Sequence, residues 1–81
     1  MRIDKFLKVS RVLKRRTLAQ EACDGGRVSV NGRSVKPSYN VKIGDVVEIA
    51  FNSGAVAFEI LQIKETVRKE EAEKLYRIIT E

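Results

Sequence analysis

Asn31-Gly32, flanked by Val28-Ser29-Val30 and Arg33-Ser34-Val35, spells a two-residue β-hairpin turn. Such turns hold both central residues at positive φ, which Asn tolerates and Gly adopts freely, and their twist matches that of the strands they join. Antiparallel pairing is therefore expected near the middle of the chain, and the flanking segments must complete the core. Only one core is available. A chain of 81 residues buries about 60% of the surface it would expose unfolded, too little to divide between two domains or to enclose a large cofactor.

Before the hairpin the periodicity is helical. Ile3, Phe6 and Leu7 fall at i, i+3 and i+4, which predicts a short helix over about residues 2–9 with Arg2, Lys5 and Lys8 flanking the apolar stripe. Ser10 to Arg16 reads as a basic connector in which Val12 and Leu13 can anchor to the core. Thr17-Leu18-Ala19-Gln20 has the form of a capping box, so a second helix is expected from Thr17 to about Asp24, with Leu18, Ala19, Ala22 and Cys23 facing inward. Gly25-Gly26 then supplies the helix stop.

After the hairpin, Lys36 to Asn40 contains the one proline and reads as a loop, and Ile43-Gly44-Asp45 reads as a turn. Val46–Phe51 and Ala55–Ile63 are apolar, β-branched runs joined by Asn52-Ser53-Gly54, a longer hairpin. Lys69 to Leu75 returns to helix-favouring composition, and residues 76–80 either extend that helix or pair as a final strand. The expected architecture is α+β: two short N-terminal helices packed on a small twisted, mainly antiparallel sheet, with a short C-terminal helical segment. Residues 1–81 form one domain, with its core motif over about residues 1–50 and the C-terminal hairpin and helix over about residues 46–81.

The charge distribution points to a partner. The net charge is +5, yet residues 1–16 alone hold seven bases against one acid, a balance of +6, while residues 43–81 hold five bases against eight acids. A basic end of this kind is the footprint of a polyanion, either nucleic acid or an anionic membrane surface. Membrane binding needs exposed apolar residues beside the bases, and the only ones at hand, Ile3, Phe6 and Leu7, are needed by the core. The candidate nucleic-acid-binding residues are Arg2, Lys5, Lys8, Arg11, Lys14, Arg15 and Arg16, with Arg27, Arg33 and Lys36 beyond the second helix.

Catalysis has little to work with. The chain has no histidine, one cysteine, no glycine-rich phosphate loop and no Ser/His or Cys/His pairing. No enzyme activity, cofactor or metal ion is expected. Cys23 lies on an inner helical face and is read as core packing; Glu70, Glu71 and Glu73, interspersed with Lys69, Lys74 and Arg77, read as solvent-facing helix pairs rather than metal ligands. Tyr39, close to Lys36, is a candidate for stacking on a base, whereas Tyr76 is assigned to the core. With no apolar run of signal-peptide or membrane-spanning length and no second cysteine for a disulfide, a cytoplasmic location is expected.

Four segments carry a family resemblance: Arg2-Ile3-Asp4-Lys5-Phe6-Leu7, Arg15-Arg16-Thr17, Gly26-Arg27-Val28-Ser29-Val30-Asn31-Gly32, and Val41-Lys42-Ile43-Gly44-Asp45-Val46-Val47. Together they resemble the RNA-binding domain of the ribosomal protein S-four superfamily. That resemblance implies the αL RNA-binding motif, two short helices on a small twisted sheet with an L-shaped basic surface. The superfamily includes a ribosomal protein, pseudouridine synthases and tyrosyl-tRNA synthetases, so it implies RNA without specifying which.

Lys8-Val9-Ser10-Arg11, the run from Lys14 to Ala19, and Lys69-Glu70-Glu71-Ala72 are similar, further, to stand-alone bacterial members that act in ribosome-associated quality control. This closer resemblance runs through nearly the whole chain. It implies binding to obstructed large ribosomal subunits through their rRNA and peptidyl-tRNA, and support of C-terminal alanine tailing beside a factor that delivers charged tRNA. It also implies a monomeric, ribosome-associated protein. The alternative is a structural, assembly or recycling factor of the large subunit, like the heat-shock-induced relative, whose longer basic C-terminal extension contrasts with the acidic residues 43–81 here.

Overall fold

The computed structural model describes residues 1–79. Two helices, α1 (Ile3–Val9) and α2 (Arg16–Asp24), lead into five strands, β1 (Val28–Val30), β2 (Arg33–Ser34), β3 (Val46–Phe51), β4 (Gly54–Ile60) and β5 (Tyr76–Ile79), with a 3-10 helix over Lys69–Leu75 before the last. The strands form one sheet in the order β2-β1-β3-β4-β5, antiparallel at every pairing. The α+β architecture expected from sequence is the one found.

At the first hairpin Val30 pairs with Arg33, leaving Asn31 at φ 51° and Gly32 at φ 86°. Both signs are those of a type I′ turn. Asn31 has a second task. Its side-chain oxygen accepts from the Val46 amide at 3.0 Å, and its Nδ2 donates to Asp45 Oδ1 at 3.1 Å. Asp45 Oδ2 in turn accepts the Lys42 amide at 2.8 Å, so the hairpin turn and the 42–45 turn brace each other at the start of β3.

One face of the sheet carries the core. Val28 and Val30, Val47 and Ile49, and Phe58 and Ile60 are buried from β1, β3 and β4, the alternation that sends every second residue inward. Against them lie Ile3, Phe6 and Leu7 of α1 and Ala19, Ala22 and Cys23 of α2. The rings of Phe6 and Phe58 stack with centroids 6.3 Å apart, and Tyr76 meets Phe58 edge-on at 5.3 Å. Burying each such large side chain contributes roughly 1.5–3 kcal/mol.

Arg2, the residue that precedes α1, caps none of its first amides with its side chain. The loop after β2 takes that role: the Ile3 amide donates to the Tyr39 carbonyl at 2.7 Å and the Asp4 amide to the Pro37 carbonyl at 3.3 Å. At the other end of α1 the chain reverses at Arg11, whose φ is 62° and whose amide donates to the Lys8 carbonyl at 3.1 Å. Glycine is the ordinary choice just past a helix end, and a bulkier side chain there costs about 1–2 kcal/mol.

Several local expectations are corrected. The Thr17 capping box does not form: α2 begins at Arg16, no side chain caps it, and Gln20 turns to Asp4 instead of the Thr17 amide. Leu18, expected to face inward, is 44% exposed, because α2 packs through its small residues and leaves Leu18 on the flank. β4 ends at Ile60 rather than Ile63, since the Leu61 and Gln62 amides both donate to the Leu75 carbonyl, at 2.8 and 3.2 Å. Lys69–Leu75 is a 3-10 helix; at three residues per turn its buried residues Ala72 and Leu75 align on one side.

Residues 76–79 resolve the open choice as a strand, with Thr80 outside the described residues. Arg77 crosses to its register partner Glu59 at 2.6 Å rather than to the glutamates of the preceding turn.

Candidate nucleic-acid interface

Asp4 organises the basic face. Its side chain is fully buried at 0% exposure, and it accepts from four donors. Arg2 Nη2 lies 3.1 Å from Oδ2, Arg16 Nε 3.3 Å from Oδ2, Gln20 Nε2 3.1 Å from Oδ2, and the Lys5 amide 2.7 Å from Oδ1. Burial pushes the Asp4 carboxyl up, but the hydrogen bonds from Gln20, Arg16 and the Lys5 amide outweigh it and hold the group below the usual aspartate value. The Arg2 and Arg16 side chains remain 47% and 42% exposed. Each is tied to Asp4 and still partly open to solvent. Two positive charges against one negative leave the cluster able to take an anion.

The fold sorts the remaining candidates into separate places. Lys8, Arg11 and Lys14 line a cleft of about 400 Å³ between the α1–α2 connector and residues 65–67. Arg33 and Lys36 line a second groove of about 450 Å³ with Tyr39, beside the hairpin. Lys5 is drawn into an ion pair with Glu65, which holds that exposed carboxylate below its ordinary value. Arg15 is exposed at the start of α2, and Arg27 is exposed between α2 and β1.

Two participants lay outside the sequence reading. Asp4 is the single acid among residues 1–16, and that isolation was the available signal that it serves the surrounding bases. Gln20 gave a misleading one, because its spacing from Thr17 matched a capping box. Cys23 takes no part in this surface. Burial, with the Asp4 and Asp24 charges adding to it, pushes its thiol up to about 11, which keeps it protonated and unreactive at neutral pH. Among the described residues no helix is long and apolar enough to cross a membrane, and no group of His, Cys, Asp and Glu is placed to hold a metal ion.

Helices stacked on a hairpin-led antiparallel sheet, with arginines gathered on a buried carboxylate, make a basic surface of the kind that receives a polyanion. The S4 domain family model matches residues 1–47. The chain is 56% identical over 78 residues to the RQC P-site tRNA stabilizing factor of Halalkalibacterium halodurans, covering 96% of this chain and 89% of that protein. It is 49% identical over 81 residues to the Bacillus subtilis protein of the same name, covering 100% and 94%. Among solved structures, Vibrio cholerae Heat Shock Protein 15, described as trimeric, superposes with a TM-score of 0.90 at 35% identity, over 98% of this chain and 81% of that one. The chain belongs to the S4-domain family, within the group that includes the RQC P-site tRNA stabilizing factors.

Proposed function

We propose that this chain is a non-catalytic RNA-binding factor of ribosome-associated quality control. It binds obstructed large ribosomal subunits that carry peptidyl-tRNA, touches rRNA and tRNA together, and keeps the tRNA seated in the P site during C-terminal alanine tailing. A separate tailing factor delivers the charged tRNA. The names of the relatives support the ribosomal setting. The observation that carries the reading is the pair of half-exposed arginine side chains, Arg2 and Arg16, held on buried Asp4. A fork already fixed in place loses little freedom on meeting a phosphate, and its planar donors suit bidentate contact.

Arg2, Lys5, Lys8, Arg11, Lys14, Arg15 and Arg16 form the main RNA-binding surface in this reading, extended by Arg27, Arg33 and Lys36. They read backbone geometry rather than base sequence. The chain makes and breaks no bonds; its contribution is positional. Contacts to two RNAs at once raise the effective concentration of each for the other, so the ribosome's own peptidyl transfer finds its substrate in place. The protein acts in the cytoplasm as a monomer on the subunit.

Sucrose-gradient fractionation tests this against a structural or assembly role. The protein is expected at substoichiometric levels, enriched on free large subunits bearing peptidyl-tRNA, and its deletion is expected to shorten alanine tails. Stoichiometric presence in all ribosomes, or tails of unchanged length and rate without it, rejects the proposal.

A further inference from the structure

Among the described residues two carboxylates reach the bases of residues 1–16, and they do so in opposite ways. Asp4 is fully buried and collects Arg2, Arg16 and Gln20. Glu65 meets one side chain, Lys5, and its own side chain is 73% exposed. An ion pair this open to water contributes little to stability. Glu65 ties down no regular element either, since residues 61–68 form no helix or strand between β4 and the 3-10 helix.

What distinguishes Glu65 is its position. It is the one acid in residues 60–69, a stretch that also carries Lys64, Arg68 and Lys69. Folding brings it to a lysine 60 residues away in sequence, and it lines the cleft in which Lys8, Arg11 and Lys14 stand. The hydrogen bond and charge of Lys5 hold its carboxyl below the ordinary glutamate value, so it is ionised throughout the neutral range.

A carboxylate so placed does for Lys5 what a phosphate oxygen would do: it accepts from the ammonium and neutralises its charge. A phosphate arriving at Lys5 meets that second negative charge at close range. Lys5 and Glu65 together bring no net charge to RNA, so the pair adds nothing to the salt-dependent part of affinity until Glu65 swings away.

We propose that Glu65 is an internal competitor of RNA, a residue that occupies Lys5 in the free protein and must be displaced before Lys5 can take a phosphate. This rests on the RNA-binding reading above and adds to it a contact that opposes binding. Seven bases without a restraint attract nucleic acid of any kind, and an opposing like charge lowers such unselective affinity. The pair is exposed enough that RNA already held by the Asp4-anchored arginines displaces Glu65 at small cost.

The test measures binding of a labelled single-stranded uridine oligonucleotide, and of purified large ribosomal subunits, from about 50 to 300 mM KCl. It compares the parent with Glu65→Gln, Glu48→Gln, Arg16→Ala, Lys5→Ala and the Lys5→Ala/Glu65→Gln double variant, and follows thermal melting of each. Glu65→Gln is expected to bind the oligonucleotide about two- to fivefold more tightly at low salt and to steepen the log-log salt slope by about 0.7. Its melting temperature is expected within about 5 °C of the parent's. Glu48→Gln removes an exposed negative charge from β3 and is expected to bind like the parent. In the Lys5→Ala background the gain from Glu65→Gln is expected to fall by more than half, because no ammonium remains to be released.

If Glu65→Gln binds both RNAs like the parent while Arg16→Ala binds more weakly, Glu65 is no competitor and the RNA reading stands without it. A parent with no salt-sensitive affinity for either RNA overturns both. An equal gain in Glu48→Gln, or an undiminished gain in the Lys5→Ala background, traces the effect to net charge and overturns the proposal. A larger fall in the melting temperature of Glu65→Gln makes the pair a structural one and overturns it as well.

Discussion

Arg16 meets Asp4 side-on, its Nε 3.3 Å from Oδ2 and its Nη2 3.4 Å from Oδ1, so that two parallel donors of the second helix close on a carboxylate buried in the first. The pair joins α1 to α2 across the basic connector. It also leaves the rest of the guanidinium free for a partner. In the proposed function structure and binding share this residue, and substitutions here must be read on both counts.

Asp4→Ala strands the three side chains, Arg2, Arg16 and Gln20, and the Lys5 amide that now converge on one carboxylate. Removing one member of a buried pair is costly, but solvent reaches both arginines, which reduces the loss to about 2 kcal/mol. For a domain of this size that corresponds to a fall in melting temperature of about 10 °C. Subunit binding is expected to weaken at temperatures where the variant is still folded, because the guanidiniums are no longer held. Calorimetry and pelleting with large subunits measure the two effects, and an Asp4→Ala variant with parental affinity would show that their placement is immaterial.

Arg2→Ala and Arg16→Ala each leave Asp4 with another charged partner, so either is expected to lower stability by less than about 1 kcal/mol. Both are expected to weaken subunit association and to reduce the salt slope by about 0.7–0.9 per contact removed. Lysine is expected to restore only part of the affinity at position 16, since an ammonium cannot present two parallel donors. Affinity measured from about 50 to 200 mM KCl checks this.

The depressed Asp4 carboxyl predicts acid sensitivity with a definite sign. An aspartate held below its ordinary value of 3.8 when folded binds more protons unfolded than folded as the pH falls. Its stabilisation is therefore complete above about pH 4–5 and is lost as the pH drops through the folded value. Melting temperatures followed from pH 6 down to about pH 2 should fall more steeply for the parent than for Asp4→Asn. Parallel curves would place the acid-sensitive group elsewhere.

Cys23, buried with its thiol pushed up to about 11, is expected to react with an aromatic disulfide reagent at pH 8 only through opening of the fold. The native protein should react orders of magnitude more slowly than the urea-unfolded chain. Equal rates would mean that the α2 packing opens freely.

Gly32→Ala places a Cβ at φ 86° in open space, so its cost is conformational alone, about 1 kcal/mol. A modest drop in melting temperature with unchanged subunit binding is expected. A large loss of binding instead would put the hairpin tip on the RNA.

Much of this protein is decided locally. The Ile3, Phe6 and Leu7 spacing, the Val28 to Gly32 pattern and the Gly25-Gly26 stop each involve residues only a few positions apart, where backbone preference and burial agree, and all three appear in the structure as read. The basic character of residues 1–16 is likewise a property of composition. Which bases stand together was not legible, because it depends on contacts between distant segments. Asp4 gathers Arg16 and Gln20 only once α2 folds back on α1, while its contact with Arg2 is local, and Gln20, turned to Asp4, forms no capping box with Thr17. The strand assignment of residues 76–79 came likewise from pairing with β4, an edge that exists only when the sheet has formed. The chain's own order of residues set its elements and its charge; tertiary packing, through one buried carboxylate that had to be satisfied, chose which arginines are held ready for a partner.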